Sequence, residues 1–367
     1  MPTREEVVSA GVEQDVNYLG RLFGALGDPR HKELARIVSF CMVPFVSLVI
    51  HEARAKINLI TPSPPLDFSA EAAEVCARSR NSLKLFEDNQ RWVAGQLEFY
   101  RNEIIGTYSD VFLGNTWLRL ARFLEVDLSL FTYNDVIIST NHSAAFHMGI
   151  EPKRLLQEDG GVYVRSITEQ MGRCLGALGA SIDADGPMTF VRHATGRALV
   201  GSDVRADRYY RRVFNGRETP VLNGLLTAFQ AKVNFATSLL VAGADALDLE
   251  YTVFKIRFVI LYHVLASLAR LGADPNQSLS DSSRSALEGI IGAPEAVAIT
   301  DRATKGFRNI LVHYDPRSAA QSLDISEPLF GLIPVYFPDH DYRSLSALVD
   351  RCAHATAQRL NNWANLH

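Results

Sequence analysis

Apolar residues recur at every third or fourth position along most of the chain, the spacing that places them on one face of an α-helix. The longest regular run follows Pro220, where the helical period holds over five turns, from Leu222 to Leu240. The same spacing predicts helices at 13–26, 32–60, 70–80, 83–103, 116–131, 163–180, 249–271, 283–291, 295–314 and 342–363. Extended pieces are predicted only at 188–192 and 332–337. The pattern therefore predicts an all-α fold.

Proline and glycine clusters interrupt this pattern, and they suggest a division into domains. The strongest interruption in the middle of the chain lies at Glu151-Pro152 and Asp159-Gly160-Gly161. We therefore expect two helical bundles, an N-terminal domain over 1–160 and a C-terminal domain over 161–367.

Composition narrows the classes of function. With 47% apolar and 21% charged residues, the chain has an ordinary globular composition, and its net charge of −4 means that any nucleic-acid contact must come from a local basic patch. The four cysteines are scattered without a CxxC pair, which favours reduced thiols in a cytoplasmic protein over a zinc site or disulfides. The apolar run 37–50 is too short to span a membrane, and 251–271 carries charged residues. We expect both to be core helices, with no membrane partner.

One stretch, residues 307–316, combines a helical pattern with chemically useful side chains. Four residues at spacing i, i+3, i+4, i+7 form an apolar stripe: Phe307, Ile310, Leu311 and Tyr314. Pro316 cannot continue the helix, so the helix should end just before it. At about 100° per residue, Asn309 and His313 lie nearly opposite the stripe, with Arg308 on the flank. An arginine, an amide and an imidazole are thus predicted to point away from the segment's own core.

The motif Arg308-Asn309-x-x-x-His313, at the end of a helix, resembles the signature of HEPN domains. The order of the last predicted helices is similar too, so the resemblance covers roughly residues 220–367. It implies a helical bundle and, in many members, metal-independent RNA cleavage without a cofactor. It also implies that Arg308, Asn309 and His313 are catalytic and that Tyr314 lies beside the substrate.

The implied chemistry suits these residue types. RNA carries its own nucleophile, the 2′-hydroxyl, so a catalyst has to move protons and neutralise the charge that develops on the phosphate. Histidine is the side chain best matched to proton transfer near neutral pH. The planar guanidinium of Arg308 matches phosphate oxygens, and Asn309 could orient the imidazole of His313 or bind phosphate.

The segment Tyr100-Arg101-Asn102 resembles Phe307-Arg308-Asn309, but Gly106 and Thr107 stand where a histidine would be. One hypothesis is that the N-terminal half is a degenerate second copy of the bundle, with Arg101 and Asn102 contacting substrate. HEPN domains commonly dimerise, so a homodimer or an internal pseudo-dimer would follow. The alternative is a chance match between two helical segments.

An arginine-rich segment, 205–217, is interleaved with Tyr209 and Tyr210. Arg208, Arg211 and Arg212 could bind RNA phosphates while the tyrosines stack on bases. The competing interpretation, which the sequence favours, is a solvated helix face whose arginines pair with Asp203 and Asp207.

His142 and His147 are five residues apart and lack a carboxylate at metal-ligand spacing, so the sequence favours a structural role over zinc binding. We expect no metal site.

Two functions follow from these observations. The first is a cytoplasmic HEPN-type endoribonuclease that acts on RNA, as a toxin or phage-defence effector with an antitoxin or other regulatory partner. The second is a non-catalytic helical protein that uses the same bundle to bind nucleotide, RNA or protein. An all-α lipid or isoprenoid enzyme is disfavoured, since the sequence lacks Asp-rich helix motifs for magnesium diphosphate.

Overall fold

The computed structural model describes residues 3–56, 68–87, 92–117, 122, 124–179, 198–214, 219–240, 247–316 and 323–365. Within these ranges the chain is mostly helical, which confirms the predicted helical class, but it also contains a small sheet. The predicted strand at 188–192 lies outside the described residues.

The helices of the described residues are α1 (Arg4–Leu26), α2 (Lys32–Ala55), α3 (Ala70–Ser82), α4 (Trp92–Phe99), α5 (Thr107–Phe112), α6 (Asn141–Met148), α7 (Pro152–Leu155), α8 (Gly160–Gly179), α9 (Ala206–Tyr210), α10 (Pro220–Ser238), α11 (Leu247–Ala273), α12 (Asp281–Ile291), α13 (Pro294–Thr300), α14 (Lys305–His313), α15 (Ile333–Tyr336) and α16 (Tyr342–Ala364). A π-helical segment, Tyr100–Gly106, joins α4 to α5. Short 3₁₀ turns lie at Pro29–His31, Leu85–Glu87, Arg302–Thr304 and Pro328–Gly331.

The sheet is antiparallel, in the order β2-β1-β3, with β1 (Leu128–Tyr133), β2 (Val136–Thr140) and β3 (Leu199–Val204). The prediction of a helix over 116–131 is therefore wrong at its C-terminal end. Asn134 and Asp135 form the connection between β1 and β2, and both have positive φ, 47° and 64°. A two-residue loop of this kind matches the twist of a β-hairpin, and asparagine and aspartate tolerate it better than most residues.

Two other boundaries differ from the sequence predictions. The segment 332–337, predicted as extended, contains the short helix α15, whose Pro334 lies in the first turn, where a missing N–H costs nothing. Helix α1 begins at Arg4, well before residue 13, because Thr3 and Glu6 form a capping box. Val7, Val8 and Val12 add buried contacts to this extra length.

Helix α11 is the centre of the core. All its residues from Thr252 to Leu265 are buried, because α1, α10, α12, α13, α14 and α16 all pack against it. Helix α2 packs against α1, α3, α6 and α8. Residues on both sides of the predicted boundary near 160, for example Leu48 and Phe258, belong to one hydrophobic cluster. The N-terminal helices are thus placed directly against the elements that carry the RNxxxH motif.

Two helical stretches are long and apolar enough to cross a membrane by length and composition, Pro29–Ala55 and Leu249–Ala273. Their most apolar windows are 61% and 89% buried inside the protein. Packing within the protein therefore accounts for much of their apolar character, most fully for the second stretch.

Candidate active site

Helix α14 carries the motif, and its apolar stripe is buried as predicted. Phe307, Ile310 and Leu311 are each no more than 5% exposed. The ring of Phe307 lies edge-on to Phe258, with centroids 5.1 Å apart. The helix ends at His313 because Tyr314 adopts the left-handed conformation, with φ 50°. The predicted end of the helix is therefore confirmed, and its stripe fixes which side chains can face outward.

Tyr314 is a core residue. Its side chain is buried, its hydroxyl donates to Asp15, and Lys255 lies 4.0 Å above its ring while also pairing with Asp15. Gly11 lets α1 approach this ring, since a Cβ there would lie 2.7 Å from Cδ1 of Tyr314. In this structure Tyr314 anchors the end of the motif helix and offers no surface for the substrate contact predicted from the sequence.

His313 faces two residues of the N-terminal half. Its Nδ1 lies 3.0 Å from Oε1 of Glu52 in α2 and 3.1 Å from Nη2 of Arg80 in α3. Arg80 also pairs with the same Glu52 oxygen at 2.6 Å, and Lys56 binds the other oxygen at 2.9 Å. Glu52 is only 4% exposed, whereas the His313 side chain is 39% exposed. The site is therefore a buried carboxylate surrounded by cations, with one imidazole at the surface.

The two contacts of His313 Nδ1 cannot both be hydrogen bonds at the same time. Arg80 has only N–H donors, so it could bind Nδ1 only if that nitrogen were unprotonated. Glu52 already accepts from Arg80 and can accept from Nδ1–H as well. A proton on Nδ1 that is donated to Glu52 therefore gives the carboxylate the most hydrogen bonds. The lone pair then lies on Nε2, which makes no hydrogen bond within the described part of the chain. An imidazole held in this way by a carboxylate is arranged to exchange protons at Nε2.

The charge state of Glu52 follows from its neighbours. Burial by itself raises the pKa of a carboxyl group, but the hydrogen bond from His313 and the positive charges of Arg80 and Lys56 outweigh it. Together they lower the pKa of Glu52 to about 2. Glu52 is therefore ionised at neutral pH and can orient the imidazole.

Arg308 faces a second carboxylate. Its Nη2 lies 4.0 Å from Oε1 of Glu87, and its guanidinium lies 4.8 Å above the ring of Tyr262. Glu87 also accepts a hydrogen bond of 2.6 Å from Nδ1 of His263. Burial would raise the pKa of Glu87, but this bond and the charges of His263 and Arg308 lower it. Burial lowers the pKa of His263, although the hydrogen bond with Glu87 and the negative charge of Glu87 act to raise it.

Both arginines of the site keep an unused donor. The Nε–H groups of Arg80 and Arg308 are buried and have no hydrogen-bond partner within the described residues. Unpaired buried donors are costly, so a phosphate oxygen that reached these N–H groups as neighbouring side chains moved aside would relieve that cost. Asn309, half-buried one turn before His313, also makes no side-chain hydrogen bond among the described residues. The side chains thus have capacity for an anion.

Sequence reasoning missed the residues that complete this site. Glu52, near the end of the strongly apolar helix α2, is followed four residues later by Lys56 at the end of that helix, and a glutamate is almost never buried unless paired. A charged residue in an apolar helix indicates that it is paired, but the sequence does not show which residue is its partner. Glu87 and Arg80 carry no local signal of their own.

The other residues predicted to bind substrate lie apart from this cluster. Arg101 and Asn102 are exposed on the π-helical segment, with no contact to His313 among the described residues. Arg208, Arg211 and Arg212 are exposed in and after α9. Arg211 pairs with Asp207 at 2.8 Å, as the solvated-face interpretation predicts.

The stacking role suggested for Tyr210 is wrong, because its side chain is fully buried. Its hydroxyl lies 3.1 Å from Nδ1 of His142, whose Nε2 lies 3.1 Å from the carbonyl oxygen of Asp127. Burial lowers the pKa of His142 to about 4, so its imidazole is neutral. The described residues contain no group of three or more His, Cys, Asp or Glu side chains placed to hold a metal ion.

Comparison of the chain with family models, with curated proteins and with solved structures gave no match. Its function must therefore be argued from the geometry of the site and from the motif.

Proposed function

We propose that the protein is an endoribonuclease of the HEPN type, in which His313 transfers the proton and Arg80 and Arg308 bind the phosphate. The observation that carries this proposal is the partly exposed His313 imidazole, held at Nδ1 by ionised Glu52 and without a hydrogen bond at Nε2 among the described residues. Beside it, Arg80 has a buried N–H without a partner. This combination supplies a base and an anion site at one place.

In the proposed reaction, Nε2 of His313 takes the proton from the 2′-hydroxyl of RNA. The 2′-oxygen then forms a bond to the adjacent phosphorus, and the bond from phosphorus to the 5′-oxygen breaks. The 5′-oxygen leaves with a proton from water, the hydroxide so formed takes the proton back from Nε2 of His313, and the products are a 2′,3′-cyclic phosphate and a 5′-hydroxyl. Arg80 and Arg308 stabilise the negative charge that builds up on the phosphate oxygens. Glu52 keeps the imidazole in the reactive tautomer.

The test is cleavage of a mixed RNA pool by the purified protein in the presence of a chelator, with separation of the fragments on a gel. His313→Ala should abolish cleavage, and Arg80→Met should lower its rate by about 100-fold, as expected for loss of a charge-stabilising group. His354→Ala is the matched control. His354 is an exposed histidine on α16 that also faces a carboxylate, Asp350, at 3.5 Å. Equal loss of activity in His354→Ala would contradict the assignment.

A second candidate is a non-catalytic protein that keeps the bundle and binds RNA or protein partners. One observation favours it: both motif side chains already have a carboxylate partner, His313 the buried Glu52 and Arg308 the half-buried Glu87. Such pairs can simply hold the N-terminal helices against α14. A folded wild-type protein that cleaves no RNA in the same assay would support this alternative.

A further inference from the structure

A cavity of about 530 Å³ lies beside the proposed site, between α3, α4 with its π-helical segment, and the turn from α6 to α7. Its walls combine polar and aromatic groups: Asn81, Gln96, Phe99, Glu103 and Phe146. This volume is in the range of small-molecule pockets, and a few polar groups among apolar ones is their usual lining.

Gln96 is the strongest sign of a ligand. Its side chain is only 4% exposed and Nε2 donates to the carbonyl oxygen of Leu85 at 3.3 Å. Oε1 has no hydrogen-bond partner among the described residues. A buried unpaired acceptor is unfavourable, and Oε1 has almost no accessible surface in this structure, so an N–H donor in the cavity could bind it only if the Gln96 side chain turned toward the cavity.

The π-helical segment brings a carboxylate to the same cavity. Gln96 and Phe99 on α4 and Glu103 on its π-helical continuation all line this cavity. π-helical turns are rare and often occur at functional sites. Glu103 is half-buried and presents two more acceptor oxygens. The carboxylate-bearing residue Glu103 and the side chain of Gln96 therefore line the same cavity.

Aromatic side chains supply the flat surface that a heterocyclic ring requires. Phe99 is half-buried, and its ring centroid lies 6.1 Å from that of Phe146. Bases commonly stack on such rings when a protein binds single-stranded RNA. Gly149, on the opposite wall, has a positive φ of 74° and packs tightly against α3. The absence of a side chain at Gly149 lets this wall lie close to α3.

The cavity is joined to the proposed catalytic residues through two side chains. Asn81 lines the cavity, and its Oδ1 lies 3.4 Å from Nη1 of Arg80. Nη2 of Arg80 in turn lies 3.1 Å from Nδ1 of His313. A nucleotide whose phosphate meets Arg80 thus has a base pocket immediately beside it.

We propose that this cavity binds the base of the nucleotide next to the cleaved phosphate, and that the base is guanine. Guanine presents N1–H and the N2 amino group on one edge. Glu103 can accept from N1–H and one N2–H, and Gln96 Oε1 can accept from the other once its side chain turns toward the cavity. Adenine and cytosine each pair an amino group with a ring acceptor, and uracil has one N–H between two carbonyls. Each of those base edges would place one of its own acceptors against an acceptor oxygen of Glu103 or Gln96.

This inference rests on the proposed function for its link to cleavage, so its first test uses binding alone. GMP, AMP, CMP and UMP are titrated into full-length His313→Ala protein by calorimetry. GMP should bind at least about tenfold more tightly than the others, and Glu103→Gln in the same background should remove that preference. Glu98→Gln, at an exposed position of α4, is the matched control and should keep it.

The second test maps cleavage sites in the mixed RNA. Wild-type protein should cut beside guanine, while Glu103→Gln should cut with reduced base preference. Cleavage of RNA without base preference, together with equal binding of all four nucleotides, would overturn the base pocket and leave the proposed function standing. Selective GMP binding that Glu103→Gln abolishes, in a protein that cleaves no RNA, would support the pocket and contradict the ribonuclease. GMP binding unaffected by Glu103→Gln would overturn the pocket as described.

Discussion

Glu52 connects the fold to the proposed site, so Glu52→Gln is the sharpest single perturbation. The substitution keeps the size of the side chain but removes the charge that Arg80, Lys56 and His313 share. Two half-buried cations, Arg80 and Lys56, are then left without their counterion. Breaking one side of such a buried cluster is costly, because the remaining charges stay desolvated.

The size of the effect follows from the displaced pKa. Glu52 titrates at about 2 in the folded protein, against an ordinary value of 4.5. That difference corresponds to about 3 kcal/mol of stabilisation by the ionised carboxylate. Because the folded-state pKa is the lower one, the stabilisation is complete above pH 4.5 and is lost as the pH falls toward 2. At pH 3 it should be less than half of its value at pH 7.

The assay is urea unfolding of wild type and Glu52→Gln, followed by circular dichroism at pH 7 and pH 3. Glu33→Gln, on the same helix, is the control. The Glu33 side chain is 66% exposed and lies 3.7 Å from Arg36, so its loss should change the free energy of unfolding by less than about 0.5 kcal/mol. A Glu52→Gln effect as small as the control, or one of equal size at both pH values, would refute the reasoning.

Three further outcomes are expected, each measured by thermal or urea unfolding. Tyr314→Phe should cost about 1–2 kcal/mol, because the hydroxyl that donates to Asp15 is removed from the core. Lys232→Met should stabilise the protein by about 1–4 kcal/mol at pH 7, because burial lowers the pKa of Lys232 from 10.5 to about 7. The wild-type protein therefore loses stability as the pH falls from 10.5 to 7, and the difference between the two proteins should vanish above pH 10.5. Gly149→Ala should cost more than about 2 kcal/mol, because φ is 74° and a Cβ would lie 2.4 Å from the carbonyl oxygen of Val75.

The local signals in the sequence were sufficient for most of the helices. Periodicity located α10, α11, α12 and α16 within a few residues, because burial of one face imposes that spacing. The β1–β2 hairpin was missed although Asn134 and Asp135 carried a turn signal, since the preceding apolar run 116–131 also suits a helix.

The sequence by itself determined the end of the motif helix and the exposed face that carries His313, because both depend on neighbouring residues along one helix. Only the tertiary structure decided which residues contact that face of the helix. Glu52 and Arg80 lie 261 and 233 residues away from His313 in the chain. Their approach depends on how α2 and α3 pack, and no local pattern encodes it. Packing of the 3₁₀ turn Leu85–Glu87 brings Glu87 to Arg308, and packing of α1 and α11 buries Tyr314, so the chemistry of the site is set by contacts between distant segments.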